Sequence, residues 1–128
     1  MKTDINIYIA LTLLFWHWVA DFVFQTDKQA QGKSKNWEDL LSHTLTYSVS
    51  WLVPICILFS MNPDLHEITI PFTFVGATFL CHTITDYFTS RLNSKLWAEK
   101  KVHWFFVSIG FDQFLHYLQL IITYQLLM

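Results

Sequence analysis

Four stretches of about 20 predominantly apolar residues dominate the chain, Ile5 to Phe24, Leu40 to Met61, Ile68 to Thr89 and Val102 to Met128, and that helical length crosses a hydrocarbon core of about 30 Å. Between them lie a polar segment with Lys28, Gly32, Lys33, Ser34, Lys35 and Asn36, a turn around Asn62 and Pro63, and a basic link through Arg91, Lys95, Lys100 and Lys101. These connectors read as loops. Asn36 ahead of Glu38 and Asp39 marks a helix start, because a capping side chain and acidic first-turn residues suit the free N–H groups and the dipole there. The pattern predicts one domain, 1–128, with helices at about 5–26, 38–61, 68–91 and 97–127. Short loops make successive helices run antiparallel, so the expected fold class is an all-α membrane protein, an antiparallel four-transmembrane-helix bundle. Trp16, His17 and Asp21 interrupt the first apolar stretch and no small-residue cleavage site follows, so it is expected to be a retained helix rather than a signal peptide.

Composition narrows the class further. Apolar residues make up 53% of the 128 and charged residues 14%, against about 25% charged in soluble domains. Disorder is excluded by this hydrophobicity, and a disulfide scaffold by a cysteine count of 2. A net charge of -2 and a pI near 6.3 offer no basic face for nucleic acid. Apart from Lys2, every basic residue falls in the first or third connector and none in the second. The positive-inside rule then puts those two connectors in the cytoplasm and both termini outside, in a multi-pass membrane protein. The tryptophans are expected at lipid-facing or interfacial positions, and Cys56 and Cys81 as small packing residues.

Inside the four apolar stretches the only formally charged residues are Asp21, Asp86 and Asp112, and ionised groups at that depth are costly unless paired or functional. Each has a histidine four positions away: His17 with Asp21, His82 with Asp86, and Asp112 with His116. Positions i and i+4 share a helix face. Histidine precedes aspartate in the first and third stretches and follows it in the fourth, the reversal that an antiparallel bundle requires. At about 1.5 Å per residue, His17, His82 and His116 all lie about 18 Å from the outer helix ends, and the three aspartates together with His43 about 24 Å. Two layers are expected, three histidines above three aspartates and His43.

Seven convergent donors, His17, Asp21, His43, His82, Asp86, Asp112 and His116, exceed the four that one tetrahedral ion takes. Two divalent ions are the natural reading, and imidazole with carboxylate suits zinc, manganese or iron. Soluble di-metal four-helix proteins also project their ligands inward, though with glutamate and a different spacing. The competing reading is a hydrogen-bonded His–Asp network that only holds helices together. Gln25, Tyr47 and Ser90 continue the same faces, either as groups that orient ligands or as ordinary interfacial residues near the cytoplasmic boundary. His103 is either an interfacial residue or a proton relay, and His66 is a solvated loop residue.

Taken together, His17-x-x-x-Asp21-Phe22-x-x-Gln25-Thr26, His43-x-x-x-Tyr47, His82-x-x-x-Asp86 and Asp112-Gln113-x-x-His116 cover nearly the whole chain. The set resembles a family of bacterial and phage membrane proteins, domain of unknown function 3307. It is also distantly similar to predicted LexA-regulated, inner-membrane metal-dependent hydrolases, and that likeness implies hydrolysis by analogy.

The expected function is a membrane-embedded, dinuclear metal-dependent hydrolase acting from the cytoplasmic side on a phosphoester or another lipid-linked ester. Asp21, Asp86, Asp112 and His43 are the candidate bases for the attacking water. The basic connectors would favour an anionic head group, although the positive-inside rule explains them equally well. A divalent-cation or proton transporter also uses intramembrane His and Asp, but it needs access from both sides and the outer halves here are almost wholly apolar. A haem carrier leaves the aspartates without a role. A non-catalytic membrane partner with a structural metal site is the remaining alternative.

Overall fold

The computed structural model describes residues 4–62 and 67–128, so His66 and Pro63 lie outside the described residues. Among those described, the chain is all-helical with no strand: α1 (Ile7–Val23), α2 (Asp27–Gly32), α3 (Trp37–Ser60), α4 (Thr69–Ala98) and α5 (Val102–Leu127). The long helices form a ring in which α3 packs on α4, α4 on α5, and α1 on both α5 and α3. All neighbours run antiparallel. Trp16 and Asp21 of α1 meet Ser50 and His43 of α3, Thr44 and Trp51 of α3 meet Thr83 and Phe74 of α4, and Thr78 and Asp86 of α4 meet Gln119 and His116 of α5.

Local chemistry sets the helix ends. Asn6 caps α1 through the Ile9 N–H and Asn36 caps α3 through the Asp39 N–H, each satisfying a donor the helix cannot. The last turn of α1, Val19–Val23, is a π turn closed by Phe24 N–H to the Val19 carbonyl, with Asp21 inside it. In α3 the α-helical pattern breaks at Trp51, between Trp37–Ser50 and Leu52–Ser60. Pro54 is the cause: it has no N–H to offer the carbonyl four residues back.

The connectors differ from the sequence expectation in two places. The polar first connector contains α2, closed by a capping box between Thr26 and Gln29. The third helix runs on to Ala98 instead of ending near 91, so Arg91 and Lys95 are helical and only Glu99–Lys101 remains as the link. Arg91 lies over the Tyr87 ring, 3.8 Å from its centroid, and Tyr87 stacks on Trp37 at 5.0 Å, a cation–π arrangement that fastens α4 to the start of α3. Lys100 takes a left-handed φ of 58°. With Lys101 N–H bonded to the Leu96 carbonyl and Lys100 N–H to that of Trp97, this is a Schellman ending in which lysine stands where glycine is usual.

The interior is sorted by end. Towards the chain termini it is apolar, built from Leu13, Trp51, Ile55, Phe74, Leu120 and Tyr124. Trp51 is fully buried there rather than interfacial, because it follows His43 and Tyr47 at four-residue steps on the inward face of α3. Cys56 and Cys81 are exposed free thiols on the outer face, not packing residues. Towards the basic connectors the interior is polar.

Candidate metal centre

The i, i+4 pairs on α1, α4 and α5 and His43 on α3 all face inward and are buried. His82 stacks on His116 at 4.1 Å, and His116 lies 5.5 Å from His17. One step nearer the basic connectors sit the aspartates. His43 Nε2 lies between two of them, 3.1 Å from Asp21 Oδ1 and 3.3 Å from Asp86 Oδ2, and 3.3 Å from His82 Nε2. His116 Nε2 is 3.1 Å from Asp86 Oδ1 and 3.4 Å from Asp112 Oδ1.

Donor atoms converge in two groups, Asp21, His43, His82 and Asp86 in one and Asp21, Asp112 and His116 in the other, within each of which the atoms lie within 4.8 Å of one another. Asp21 belongs to both. The fit to a hard or borderline cation rests on the donor chemistry: buried imidazole nitrogens and carboxylate oxygens pointing at a common space, without thiolates. His82 Nδ1 is buried without a hydrogen-bond partner.

His17 departs from the other six. Its Nε2 donates to Gln113 Oε1 and its Nδ1 accepts from the Tyr47 hydroxyl, both at 2.7 Å, while Asp21 Oδ2 stands 3.7 Å away. Among the described residues it joins neither group and acts instead as a link. Tyr47 also stacks on His82 at 3.8 Å, and the Gln113 amide donates to both Asp21 and Asp112 at 3.1 Å. His103 is exposed on the first turn of α5 against Trp104, apart from the cluster.

Lys33, Gln113 and Thr89 carry roles that spacing did not reveal. Lys33 follows α2 directly and folds back under the bundle, with its Nζ 2.9 Å from Asp86 Oδ2. Burial works against its charge, but the carboxylates of Asp86, Asp21 and Asp112 outweigh that and hold its pKa above the ordinary lysine value. Thr89 donates to Asp112 Oδ1. Gly32 makes the approach of α2 possible, since a Cβ there would fall 1.8 Å from Asp39 Oδ2.

Beside the aspartates lies a cavity of about 580 Å³, bordered by Asp21, Asp112 and Gln113 on one side and by α2 and the ends of α4 and α5 on the other. Gln25 and Ser90, read from sequence as orienting groups, line this cavity instead of touching the histidines. The chain matches, over residues 9–128, the family described as Protein of unknown function (DUF3307). It belongs to that family. No curated protein and no solved structure matches it. For this member of the family, the buried His/Asp cluster is compatible with metal binding.

Proposed function

We propose that this DUF3307 protein is a membrane-embedded hydrolase that holds two divalent ions, zinc, manganese or iron, and cleaves a phosphoester or other lipid-linked ester entering from the cytoplasmic side. The observation that carries it is the sharing of Asp21 between two converging donor groups at the edge of a cavity. His43, His82 and Asp86 would hold one ion and His116 and Asp112 the other, with Asp21 common to both groups. Bound ions of this kind bring a water to near-neutral pKa and stabilise a developing oxyanion. Asp112 is the best placed base: it borders the cavity, pairs with a single histidine, and is oriented by Thr89 and Gln113. Lys33 keeps a positive charge beside the cluster, where it would meet an anionic substrate.

A four-span placement in a bacterial plasma membrane, with the basic connectors cytoplasmic and the termini outside, is supported by an inverted exterior. Phe88 is 66% and Phe106 62% exposed while His82 is 0% and Asp86 1% exposed, a distribution suited to lipid outside and polar chemistry inside. Trp37–Ser60 and Val102–Leu127 are each long and apolar enough to cross. The apolar plug of Trp51, Phe74 and Leu120 favours an enzyme over a transporter, because it closes the end away from the cavity.

Elemental analysis of the purified protein tests the reading. About two equivalents of metal are expected in the wild type, lost in Asp86→Ala and retained in His103→Ala, with phosphoester cleavage following the metal. Equal metal content in all three proteins overturns the site, and metal without cleavage of any phosphoester or lipid-linked ester overturns the reaction.

A further inference from the structure

The cavity beside the aspartates has two unlike walls. Lys33 is the only basic residue lining it among the described residues, and Ser34, Ser90, Asn93 and Ser94 extend a polar wall from it. Along this wall Ser90 Oγ and Asn93 Oδ1, together with Gln25 Oε1 between α1 and α2, are buried polar atoms without a hydrogen-bond partner among the described residues. Unmet buried polar groups call for an explanation. Its larger apolar lining residues are Phe22, Trp97, Phe105, Phe106 and Ile109, and of these Phe22, Trp97 and Phe106 are exposed on the outer surface. A volume of this size suits a small-molecule ligand, and its surface runs from a cation, through groups able to accept hydrogen bonds, to aromatic rings that face outward.

We infer that the cavity binds a phospholipid-type ester whose anionic head group carries hydroxyls. The phosphate oxygens lie by Lys33 Nζ, the hydroxyls donate to Gln25, Ser90 and Asn93, and the acyl chains leave past Phe22, Trp97 and Phe106 into the bilayer. A charged head and an apolar tail each meet the wall that stabilises them, which neither a free phosphate nor a neutral fatty ester would do. The inference rests on the hydrolase reading for what happens at the carboxylates, but binding is measurable without turnover.

Calorimetric titration of the full-length protein in detergent, with metal content read on the same samples, tests it. The probes are dioctanoyl phosphatidylglycerol, dioctanoyl phosphatidylcholine and glycerol 3-phosphate. Phosphatidylglycerol is expected to bind about tenfold or more tighter than either of the others, because one lacks the head-group hydroxyls and the other the chains. Asn93→Leu, which touches none of the cluster, should weaken phosphatidylglycerol about tenfold, and Ile109→Trp should do the same while leaving glycerol 3-phosphate unchanged. Equal binding of the two lipids, or no effect of either substitution, overturns the inference. Glycerol 3-phosphate binding as tightly as phosphatidylglycerol overturns the lipid assignment in favour of a soluble phosphoester. Selective lipid binding by a protein that takes up no metal would sink the hydrolase reading and leave this one standing, whereas a metal-loaded protein without lipid preference would do the opposite.

Discussion

Among the described residues, Lys33 and Asp86 make the one contact between the basic connector and the cluster in which a full positive charge meets a carboxylate, at 2.9 Å. Removing the ammonium leaves Asp86 with one counter-charge fewer in a buried setting. Lys33→Met should therefore lower the stability of the metal-free protein by about 2–3 kcal/mol, somewhat less than a fully buried pair would lose, since the lysine side chain keeps part of its surface in water. Added zinc should shrink that difference, because a bound dication supplies the missing charge. Thermal melts with and without metal check both statements, and an unchanged difference on adding zinc would separate Lys33 from the metal centre. His17 illustrates a second lesson at this scale. The i, i+4 spacing shows that it faces Asp21, but spacing says nothing about Tyr47 and Gln113, which occupy both its nitrogens.

Between elements, the close seat of α2 against α3 decides whether Lys33 can reach Asp86. Gly32→Ala places a methyl against the Asp39 carboxylate and should cost about 1–3 kcal/mol through displacement of α2. If the loss runs through Lys33, the double variant with Lys33→Met should be little worse than the worse single variant. Additive losses in the melts would show two independent effects. The α4–α5 link makes the converse prediction: Lys100→Gly relieves a left-handed lysine and should raise stability by about 1 kcal/mol, read by the same melts. Much of this layer was hidden in the sequence. The long helices were legible as apolar runs, and the ligand-type residues as pairs one turn apart. The extension of α4 was not, because Arg91, Asn93, Ser94 and Lys95 are as polar as a loop, although nothing between Arg91 and Ala98 breaks a helix. Gln113 gave no periodic signal beside Asp112, and Lys33 could not be told from its neighbours Lys28 and Lys35 until α2 had folded back.

Many leucine, isoleucine and phenylalanine side chains are exposed on the bundle's exterior, while the histidines and aspartates of the cluster are buried beside an apolar core. Cys56 and Cys81, both exposed on this exterior, report what surrounds it. In intact membranes a charged maleimide should label neither, should label Ser34→Cys only when it has access to the cytoplasmic face, and should label all three after unfolding in detergent. Ready labelling of Cys81 in intact membranes would contradict the placement of α4. The sorted interior, apolar at one end and polar with a cavity at the other, has a consequence for the bilayer itself. On the proposed hydrolase reading, a cavity closed on the Trp51 side would return its products to the leaflet that supplied the substrate. Turnover would change the lipid composition of one face of the membrane while the other stayed as it was, so the plug around Trp51 would make a chemical reaction into a source of transbilayer asymmetry.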